Sequence, residues 1–346
     1  IKKMSPSNKI LEVWLNENNV SYLKNVKLSS LSWLKAGGIT EIMIFPQNLN
    51  ECELITKFFL DNKINYYPVG NLSNIIFRDG NFVTPLINMR KMSQITYDFN
   101  GDNISLDLES GLSITKLSNE MKKNSITGFE GLAGIPGTIG GGVTMNASSY
   151  NNSLCEYLTK ILVIDEKGNK LIINKKELNL SWRYSVLQKK NYLVIRAFFS
   201  IPKINIIDKD IIEKTQLNIQ NHRIKFQEKK LPNLGSLFAT KNLYKDLSKV
   251  NLKFKLIYYL SNILESVIRK LFKNKIFLFR KILVQVYINL LEIDKNSDFS
   301  LSEKTINCLI NKGSNNGDHA IKIVKAIQKK IGNHLRLENI IIDHLK

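Results

Sequence analysis

The chain has 346 residues, a hydrophobic content of 43% and a formal net charge of +20. This length can bury a large core and predicts two or three domains. The sequence contains no zinc-ligand spacing and no basic motif interleaved with aromatic residues. We therefore attribute the positive charge to compositional drift and to an anionic ligand, and we expect no binding of nucleic acid. Three widely separated cysteines, Cys52, Cys155 and Cys308, argue against a disulfide framework or a metal site and are typical of a reducing compartment.

Hydropathy predicts neither a secretory signal nor an integral membrane segment. The first residues, IKKMSPSNKI, contain no apolar core of a signal peptide. The longest uncharged apolar runs, residues 256–264 and 282–291, fall short of the ~20 residues that span a bilayer. We therefore expect a cytoplasmic protein, and we separately expect a monomer.

The first 85 residues predict a small α/β unit. A helix is expected over residues 10–17, followed by a polar connection, and strands over residues 41–46, 64–69 and 75–77. A helix over residues 50–62, with Asn50 as its cap, separates the first two strands. The loop GNLSN at residues 70–74 is a candidate anion-binding loop, and a simple β-turn is the alternative.

Residues 82–202 are mainly β in pattern, with one helix over residues 113–124. Strands are predicted over residues 83–87, 104–109, 160–165, 170–173 and 192–201. The most distinctive stretch, TGFEGLAGIPGTIGGGVTMNASSY at residues 127–150, holds seven of the eighteen glycines. Pro136 fixes one φ angle, and the glycines beside it can turn their amides inward as a nest for a pyrophosphate. An ordinary glycine-rich turn is the alternative.

The C-terminal part is predicted to be rich in helices. Helices are expected over residues 208–228 and 318–331, with two or three more across residues 244–293, and a strand over residues 335–342. Apolar residues at helical spacing in the 244–293 block alternate with basic ones. These are Lys253, Lys255, Arg269, Lys270, Lys273, Lys275, Arg280 and Lys281. We favour helices that pack on the third domain over a basic surface resting on anionic lipid.

Several motifs, taken in order, resemble the UDP-N-acetylenolpyruvoylglucosamine reductase (MurB) family of peptidoglycan synthesis. The segments that match are AGG at 36–38, GNLSN at 70–74, GFE at 128–130, IPGTIGGG at 135–142, MNASSY at 145–150, WRYS at 182–185, GSLF at 235–238 and the terminal residues 333–343. No inserted tyrosine loop is visible between Pro202 and Gly235, so the chain looks closest to the shorter type II subgroup.

This resemblance implies an α+β protein: a two-part FAD-binding fold of the vanillyl-alcohol-oxidase type plus a C-terminal substrate-binding domain rich in helices. The implied parts are a lead-in (1–30), two FAD-binding subdomains (31–85 and 86–205), a substrate-binding domain (206–330, with a divergent block at 244–293) and a terminal strand (331–346) that returns to the FAD domain. The implied FAD contacts are Gly70, Asn71, Ser73, Asn74, Ile135, Pro136, Gly137, Thr138, Gly140, Gly141 and Asn146.

The implied reaction has two halves. NADPH reduces FAD, and the flavin then gives hydride to the enolpyruvyl ether of a UDP-sugar, yielding UDP-N-acetylmuramate. By motif, Arg183 would stabilise the enolate-like state, Ser236 would donate the proton, and Glu338 would be the third catalytic residue. Tyr150 and Lys230 would contact the substrate, with Lys225 and Lys229 as alternatives to Lys230 at the diphosphate.

The sequence departs from the family pattern in the substrate half. Leu72 stands where the family has glycine in the flavin loop, and Trp182 replaces the usual tyrosine. The glycine-rich segment that follows the GSxF motif in the family is replaced by the helical block at 244–293. Two alternatives therefore stay open: a flavoprotein of the same fold with another substrate, and a non-catalytic basic protein at a membrane surface.

Overall fold

The computed structural model describes residues 4–272, 275–294, 296–332 and 335–342, apart from the side chain of Phe277. The helices are α1 Pro6–Glu17, α2 Leu28–Leu31, α3 Leu49–Asp61, α4 Ile114–Lys123, α5 Ile139–Thr144, α6 Lys209–Phe226, α7 Leu243–Leu247, α8 Leu252–Leu271, α9 Ile276–Leu290 and α10 Gly317–Ile331. The strands are β1 Tyr22–Lys27, β2 Ile39–Ile44, β3 Tyr67–Val69, β4 Ile75–Phe77, β5 Asn81–Phe82, β6 Leu86–Asn88, β7 Ile95–Asp98, β8 Asn103–Glu109, β9 Ser148–Ser149, β10 Asn152–Ser153, β11 Leu158–Ile164, β12 Lys170–Asn174, β13 Leu193–Pro202, β14 Phe299–Ser302, β15 Thr305–Asn311 and β16 Ile340–Ile342.

Asparagine side chains begin several of the helices. Asn251 Oδ1 accepts a hydrogen bond from the Phe254 N–H at 3.0 Å at the start of α8. Such caps satisfy N–H groups that have no partner within the helix. The cap of α3 is Asn48 and not the predicted Asn50, because Asn48 Oδ1 accepts from the Glu51 N–H at 2.9 Å.

The first sheet is mixed and has the order β1-β2-β6-β3, with β5 also beside β2. β1 runs antiparallel to β2, whereas β2, β3, β5 and β6 are parallel. β2 is buried on both faces, as is typical of a parallel strand. Ile42 and Ile44 pack with α1 and α3, and Met43 packs in a separate cluster with Phe77 on the other face.

The second sheet is antiparallel and has the order β12-β11-β13-β8-β7. Burial alternates along much of β13, so one face of the sheet packs inward. Val163 and Ala197 of this sheet share a core with Leu117 of α4 and Val143 of α5. The glycine-rich stretch is thereby held between the sheet and α4.

The C-terminal part packs helices against the β14–β15 hairpin. Leu301 and Leu309 of the hairpin share a core with Tyr287 of α9 and Val324 of α10. The last strand, β16, leaves this part and pairs in parallel with β4, with Ile340 opposite Ile75. The end of the chain therefore lies beside the 70–74 loop.

The structure corrects several predicted strands. β1, β7, β14 and β15 lie where the sequence analysis predicts none, and β1 is mostly exposed, so it lacks the apolar alternation that indicates a strand. Of the strand predicted over residues 83–87, only residues 86 and 87 pair, as part of β6; residues 83–85 belong to no strand, and Pro85 has no N–H for a ladder. Of the terminal strand predicted over 335–342, residues 340–342 form a strand, and Leu337 forms an isolated antiparallel bridge with Phe238.

The helical block at 244–293 contains three helices, as predicted. Phe254 of α8 and Val284 and Tyr287 of α9 are buried in the C-terminal core. This confirms the favoured interpretation that the block packs on the rest of the C-terminal part. This packing explains the apolar residues on the inner face of α8 only. The outer face of α8 carries a run of exposed apolar side chains.

Candidate active site

A cleft of roughly 1710 Å³ lies between the two sheets and the C-terminal part. This volume exceeds the ~300–1,000 Å³ that is usual for one small ligand, so the cleft has room for two. Eight basic and only two acidic residues line its described walls. A cleft with this imbalance attracts an anionic ligand.

The 70–74 loop forms one wall of the cleft and touches the glycine-rich segment. A Cβ at Gly70 would overlap Thr138 Oγ1, so only glycine fits this close approach. Asn71 Nδ2 donates to the Pro136 carbonyl at 2.6 Å. Gly70, Asn71, Ser73 and Asn74 all line the cleft, and these contacts join them to the second predicted cofactor segment.

Leu72 occupies its unusual position without blocking the loop. It has φ +52°, in the left-handed region that favours glycine, which costs a residue with a Cβ about 1–2 kcal/mol. Its side chain is 3% exposed and packs in the cluster that contains Phe77 and Ile342. The burial of this side chain offsets the backbone cost, and the loop keeps a glycine-like conformation.

The glycine-rich segment does not form the predicted nest. No glycine from 137 to 142 has a positive φ, which a nest of alternating conformations requires. The amides of Ile139 and Gly140 instead donate to the carbonyls of Leu112 and Ser110, both at 2.8 Å. A Cβ at Gly140 would lie 3.0 Å from Ser110 Cβ, so this glycine permits close packing.

The rest of the predicted segment does face the cleft. Ile135, Pro136, Gly137, Thr138, Gly140 and Gly141 are among the lining residues. Thr138 caps the short helix α5, with its Oγ1 3.4 Å from the Gly141 N–H. The segment thus offers the cleft a smooth surface of backbone and small side chains.

Arg223, which belongs to no predicted motif, fixes the glycine-rich segment from α6. Its guanidinium donates to the carbonyls of Gly131 and Ala133, the former at 2.6 Å, and to Ser149 Oγ at 2.8 Å. Arg223 is 4% exposed, and burial lowers the pKa of its guanidinium. A lone arginine in a charged helix gives no sequence signal of this role.

Asn146 and Tyr150 are exceptions among the predicted site residues, because neither lines the cleft. Asn146 Nδ2 donates to the Ser181 carbonyl at 2.8 Å, and Ser153 Oγ donates to Asn146 Oδ1 at 3.3 Å. Asn146 thus braces the turn before Arg183. The Tyr150 hydroxyl lies 2.7 Å from His222 Nδ1, and its ring lies against the Arg223 guanidinium.

The terminal segment brings Ser236 and Glu338 to the 70–74 loop through Asn339. Asn339 Nδ2 donates to Asn74 Oδ1 at 2.8 Å and to the Ser236 carbonyl at 3.2 Å. The Glu338 N–H donates to the Leu237 carbonyl at 2.9 Å. Residues far apart in sequence are therefore joined by a backbone and side-chain network at the cleft.

Arg183 and Glu338 form an ion pair at the cleft, with Arg183 Nε 2.9 Å from Glu338 Oε1. Arg183 lies in a tight turn with φ +55°, closed by two hydrogen bonds between Ser181 and Tyr184. Burial raises the pKa of the Glu338 carboxyl above its usual value, against the opposing effects of Arg183 and Arg336. Burial thus disfavours the charged carboxylate despite the neighbouring guanidinium.

Arg336 is a second site residue that no sequence motif identifies. Its guanidinium donates to the carbonyls of Trp182 and Arg183, at 2.8 and 3.0 Å, and to Gln188 Oε1 at 3.2 Å. It joins the terminal segment to the turn that carries Arg183. Its only signal in the sequence is a position two residues before Glu338, which reveals nothing of the partner turn.

Lys230 and the alternative Lys229 both line the cleft, whereas Lys225 does not. Burial lowers the pKa of Lys229, and the nearby charges of Arg223 and Lys304 lower it further. A half-buried ammonium among other cations would be stabilised by an anion. This favours an anionic group of a ligand at this end of the cleft.

Neither metal sites nor membrane spans are found in the described part of the chain. No group of three or more His, Cys, Asp or Glu side chains there could hold a metal ion. No described helix is long and apolar enough to cross a bilayer. The three cysteines are buried, and burial raises the pKa of the Cys155 and Cys308 thiols to about 12.

Comparison with known proteins identifies the architecture. Residues 40–173 match the family of FAD binding domains. The chain is 34% identical over 204 residues to UDP-N-acetylenolpyruvoylglucosamine reductase of Clostridium botulinum (strain Okra / Type B1), covering 59% of this chain and 64% of that protein. It is 30% identical over 231 residues to the reductase of that name from Clostridium novyi (strain NT), covering 67% of this chain and 72% of that protein.

The crystal structure of UDP-N-acetylenolpyruvylglucosamine reductase (MurB) from Thermus caldophilus superposes with a TM-score of 0.66. The identity is 19%, and the match covers 93% of this chain and 98% of that one. The predicted fold class is confirmed: α+β, with a two-part FAD-binding fold of the vanillyl-alcohol-oxidase type and a C-terminal part rich in helices.

The cleft fits FAD, the cofactor that this fold binds. It is basic, as a pyrophosphate requires, and its volume accommodates a dinucleotide beside a second ligand. The close contact of Gly70 with Thr138 makes a continuous wall of small residues along which a flat, extended molecule can lie.

Proposed function

Because the chain belongs to the UDP-N-acetylenolpyruvoylglucosamine reductase family, we propose that it is an NADPH-dependent flavoprotein that converts UDP-N-acetylglucosamine enolpyruvate to UDP-N-acetylmuramate. One observation carries this proposal: Arg183 and Glu338 pair at 2.9 Å in a basic cleft that Ser236 also lines. The matched stretch is 64% of the length of the first Clostridium botulinum relative, so activity and substrate remain proposals. We also propose that the protein acts as a cytoplasmic monomer without nucleic acid.

We propose the following division of the chain. Residues 31–85 and 86–205 form the two halves of the FAD-binding fold, after a lead-in at 1–30. Residues 206–330 bind the substrate, and the terminal segment, 331–346, returns to the FAD-binding fold through residues 340–342; residues 333, 334 and 343–346 of this segment lie outside the described part of the chain. The parallel pairing of β16 with β4 supports the last assignment, and the mixed and antiparallel sheets support the first.

The residues proposed to hold FAD are those of the two joined segments. Gly70, Asn71, Ser73 and Asn74 lie on the first, and Ile135, Pro136, Gly137, Thr138, Gly140 and Gly141 on the second. Bound FAD supplies the hydride-transfer chemistry between NADPH and the enolpyruvyl group. The protein supplies orientation and electrostatic stabilisation, and Asn146 contributes by bracing the turn before Arg183.

Arg183 is proposed to stabilise the negative charge that develops on the substrate. When hydride adds to the methylene carbon of the enolpyruvyl group, charge builds on the adjacent carbon and its carboxylate. A fixed guanidinium stabilises this state more than the ground state, in which the alkene carbons are uncharged and only the carboxylate carries charge. Glu338 and the clamp from Arg336 hold Arg183 and its turn, so little reorganisation is needed.

Ser236 is proposed to deliver a proton to the carbon next to the carboxylate. A serine hydroxyl is a weak acid, so it acts when the developing carbanion draws the proton. Its position is supported by Asn339, which donates to the Ser236 carbonyl. Glu338 belongs to the same hydrogen-bond network, because its N–H donates to the carbonyl of Leu237, the neighbour of Ser236. Burial raises the pKa of the Glu338 carboxyl.

Lys229 and Lys230 are proposed to bind the diphosphate of the UDP-sugar. Both line the cleft, and the lowered pKa of Lys229 reflects burial near other cations. An anion there would relieve this repulsion. Tyr150, which is held by His222 outside the cleft lining, is proposed to act indirectly, by holding Arg223 in place.

The test is an anaerobic titration of the purified protein, followed by its visible absorbance. FAD absorbance that bleaches with NADPH and recovers with UDP-N-acetylglucosamine enolpyruvate supports the reductase proposal. Recovery must yield UDP-N-acetylmuramate, detected by mass. No flavin after reconstitution with FAD would overturn the proposal.

A second candidate is a flavoprotein of the same fold with another substrate. The helices α8 and α9 favour it, because they replace the segment that follows the GSxF motif in the family. In the same titration, flavin that bleaches with NADPH but does not recover with the UDP-sugar would select this candidate.

A further inference from the structure

The outer surface of α8 is apolar although it faces solvent. Eight apolar side chains on this helix are between 44% and 69% exposed. They are Leu252, Leu256, Tyr259, Leu260, Ile263, Leu264, Val267 and Leu271. We call these eight residues the apolar arc. Clusters of this kind mark interaction surfaces, because exposed apolar area is costly in water.

The apolar arc is continuous along the whole helix. Its members recur every three or four residues from Leu252 to Leu271, which at about 100° per residue places them on one side. The opposite side holds the buried Phe254 and Ser261, which pack on the protein. The arc is therefore a second apolar surface, distinct from the one that fills the core.

Helix α9 also carries exposed apolar side chains, Leu278 and Ile282, which are 58% and 55% exposed. Glu265 joins the two helices, since it accepts hydrogen bonds from Arg269 of α8 and Arg280 of α9, the shorter ones at 2.6 and 2.7 Å. The helix pair is thus held together with its apolar residues outward.

Basic residues border the apolar arc and indicate what covers it. Between residues 252 and 290 there are eight Lys or Arg and one acidic residue, Glu265. On a helical projection Lys255 falls beside one edge of the arc, and Lys253 and Lys270 lie near its ends, whereas Arg269 lies toward the buried side and pairs with Glu265. Long basic side chains beside an apolar face are typical of helices that lie in the interface of an anionic bilayer.

A second copy of this chain fits the arc less well. The whole chain carries a net charge of +20, and pairing two basic helix faces would bring like charges together. The arc is also the convex side of one helix and not a groove. Anionic headgroups, in contrast, complement the charge while the acyl region receives the apolar side chains.

We propose that α8 and α9 dock this protein peripherally on an anionic lipid surface. The site is joined to the cleft by a series of rings: Phe254 stacks on Tyr287 at 5.9 Å, and Tyr287 contacts Tyr244, a cleft-lining residue, at 4.8 Å. Only one layer of side chains therefore separates the cleft from the helix pair that would contact the membrane surface. The proposal is independent of the reaction in the cleft.

The experiment is flotation of the 346-residue chain with vesicles. One set is made of phosphatidylcholine alone, and the other also contains phosphatidylglycerol. We expect binding to the anionic vesicles that weakens at least ten-fold when salt is raised to about 1 M, where the Debye length is about 3 Å. Equal binding to both vesicle types, or none to either, would overturn the proposal.

Two variants separate the apolar and the charged contributions. The triple change Leu256→Gln, Leu260→Gln, Ile263→Gln removes part of the arc, and the triple change Lys253→Gln, Lys255→Gln, Lys270→Gln removes charges worth about five-fold in affinity each. We expect each variant to lose at least ten-fold in vesicle affinity. The control Ile10→Gln, Val13→Gln, Leu54→Gln changes three exposed apolar helix residues outside the arc and is expected to bind like the wild type.

Sedimentation without lipid distinguishes the competing occupant. A wild-type dimer that the arc variant converts to monomer, together with no vesicle binding, would show that a second copy covers the arc and would overturn the lipid proposal. FAD content measured on every variant verifies folding independently of docking.

Discussion

The Asn74 side chain binds the backbone of Glu338, since Asn74 Nδ2 donates to the Glu338 carbonyl at 3.0 Å. The Asn74 carbonyl also accepts from the Ile340 N–H at 2.9 Å, and Asn74 Oδ1 accepts from Asn339. One side chain of the 70–74 loop therefore positions the terminal segment that carries Glu338. The proposed cofactor loop and the proposed catalytic residue are parts of one hydrogen-bonded unit.

Loss of the Asn339 side chain is expected to disturb this unit. Asn339→Ala leaves Asn74 Oδ1 and the Ser236 carbonyl without a donor in a largely buried place, at a cost of about 1–3 kcal/mol in the free energy of unfolding. We expect lower stability to urea and, in the folded fraction, slower turnover with FAD still bound. Unchanged turnover would contradict the positioning of Ser236 and Glu338 by Asn339.

Ser236→Ala is expected to slow turnover by about 10²–10⁴-fold, the usual contribution of general acid catalysis. Reduction of the flavin by NADPH should be unaffected, because it does not need this proton. Stopped-flow absorbance measures the two half-reactions separately. Ser30→Ala, at an exposed serine of α2, is the control, and a Ser236→Ala protein as active as this control would exclude the proton-donor role.

Arg183→Met is expected to slow substrate-dependent reoxidation of the flavin by about 10²–10³-fold, by analogy with loss of one electrostatic stabiliser. Methionine keeps much of the side-chain length and removes the charge. Arg90→Met removes one charge at an exposed position outside the cleft and is the matched control. If both variants reoxidise at the wild-type rate, Arg183 has no part in the reaction.

Gly70→Ala is expected to lower FAD affinity by at least ten-fold, since its Cβ would overlap Thr138 Oγ1 and separate the two cofactor segments. Thr138→Ala in the same chain removes the overlapping atom and should restore part of the affinity. Fluorescence titration with FAD measures both. Wild-type affinity in the single variant would mean that the contact between the segments does not shape the cofactor site.

Glu338 is expected to make stability depend on pH in a definite direction. Its pKa is raised in the folded protein, so the native state keeps the proton above the ordinary carboxyl value of 4.5. The free energy of unfolding therefore falls as pH rises from 4.5 through the folded pKa. Glu338→Gln cannot titrate, so its stability relative to the wild type should increase as pH rises from 4.5 through the folded pKa of Glu338. Urea unfolding across this range tests the sign, and a relative stability that stays constant or decreases would refute the raised pKa.

The sequence by itself determined the FAD-binding half of the protein. The segments GNLSN and IPGTIGGG are short and contiguous, so the pattern of their glycines and small polar residues can be recognised without knowledge of the fold. The packing of Gly70 against Thr138 is consistent with that reading. The helical spacing of residues 244–293 likewise predicted two or three helices, because periodicity is a local property.

Only the tertiary structure decided how the site is assembled. The prediction of an anion-binding nest was wrong, because the amides of Ile139 and Gly140 donate hydrogen bonds to a loop that precedes them in sequence. Asn146 and Tyr150 lie outside the cleft lining, and Arg223, Arg336 and Asn339 act through carbonyl groups that no motif specifies. Which side of α8 remains in solvent also depends on the packing of Phe254 and Tyr287. Long-range contacts determine these features, and local sequence pattern does not encode which distant backbone groups will meet.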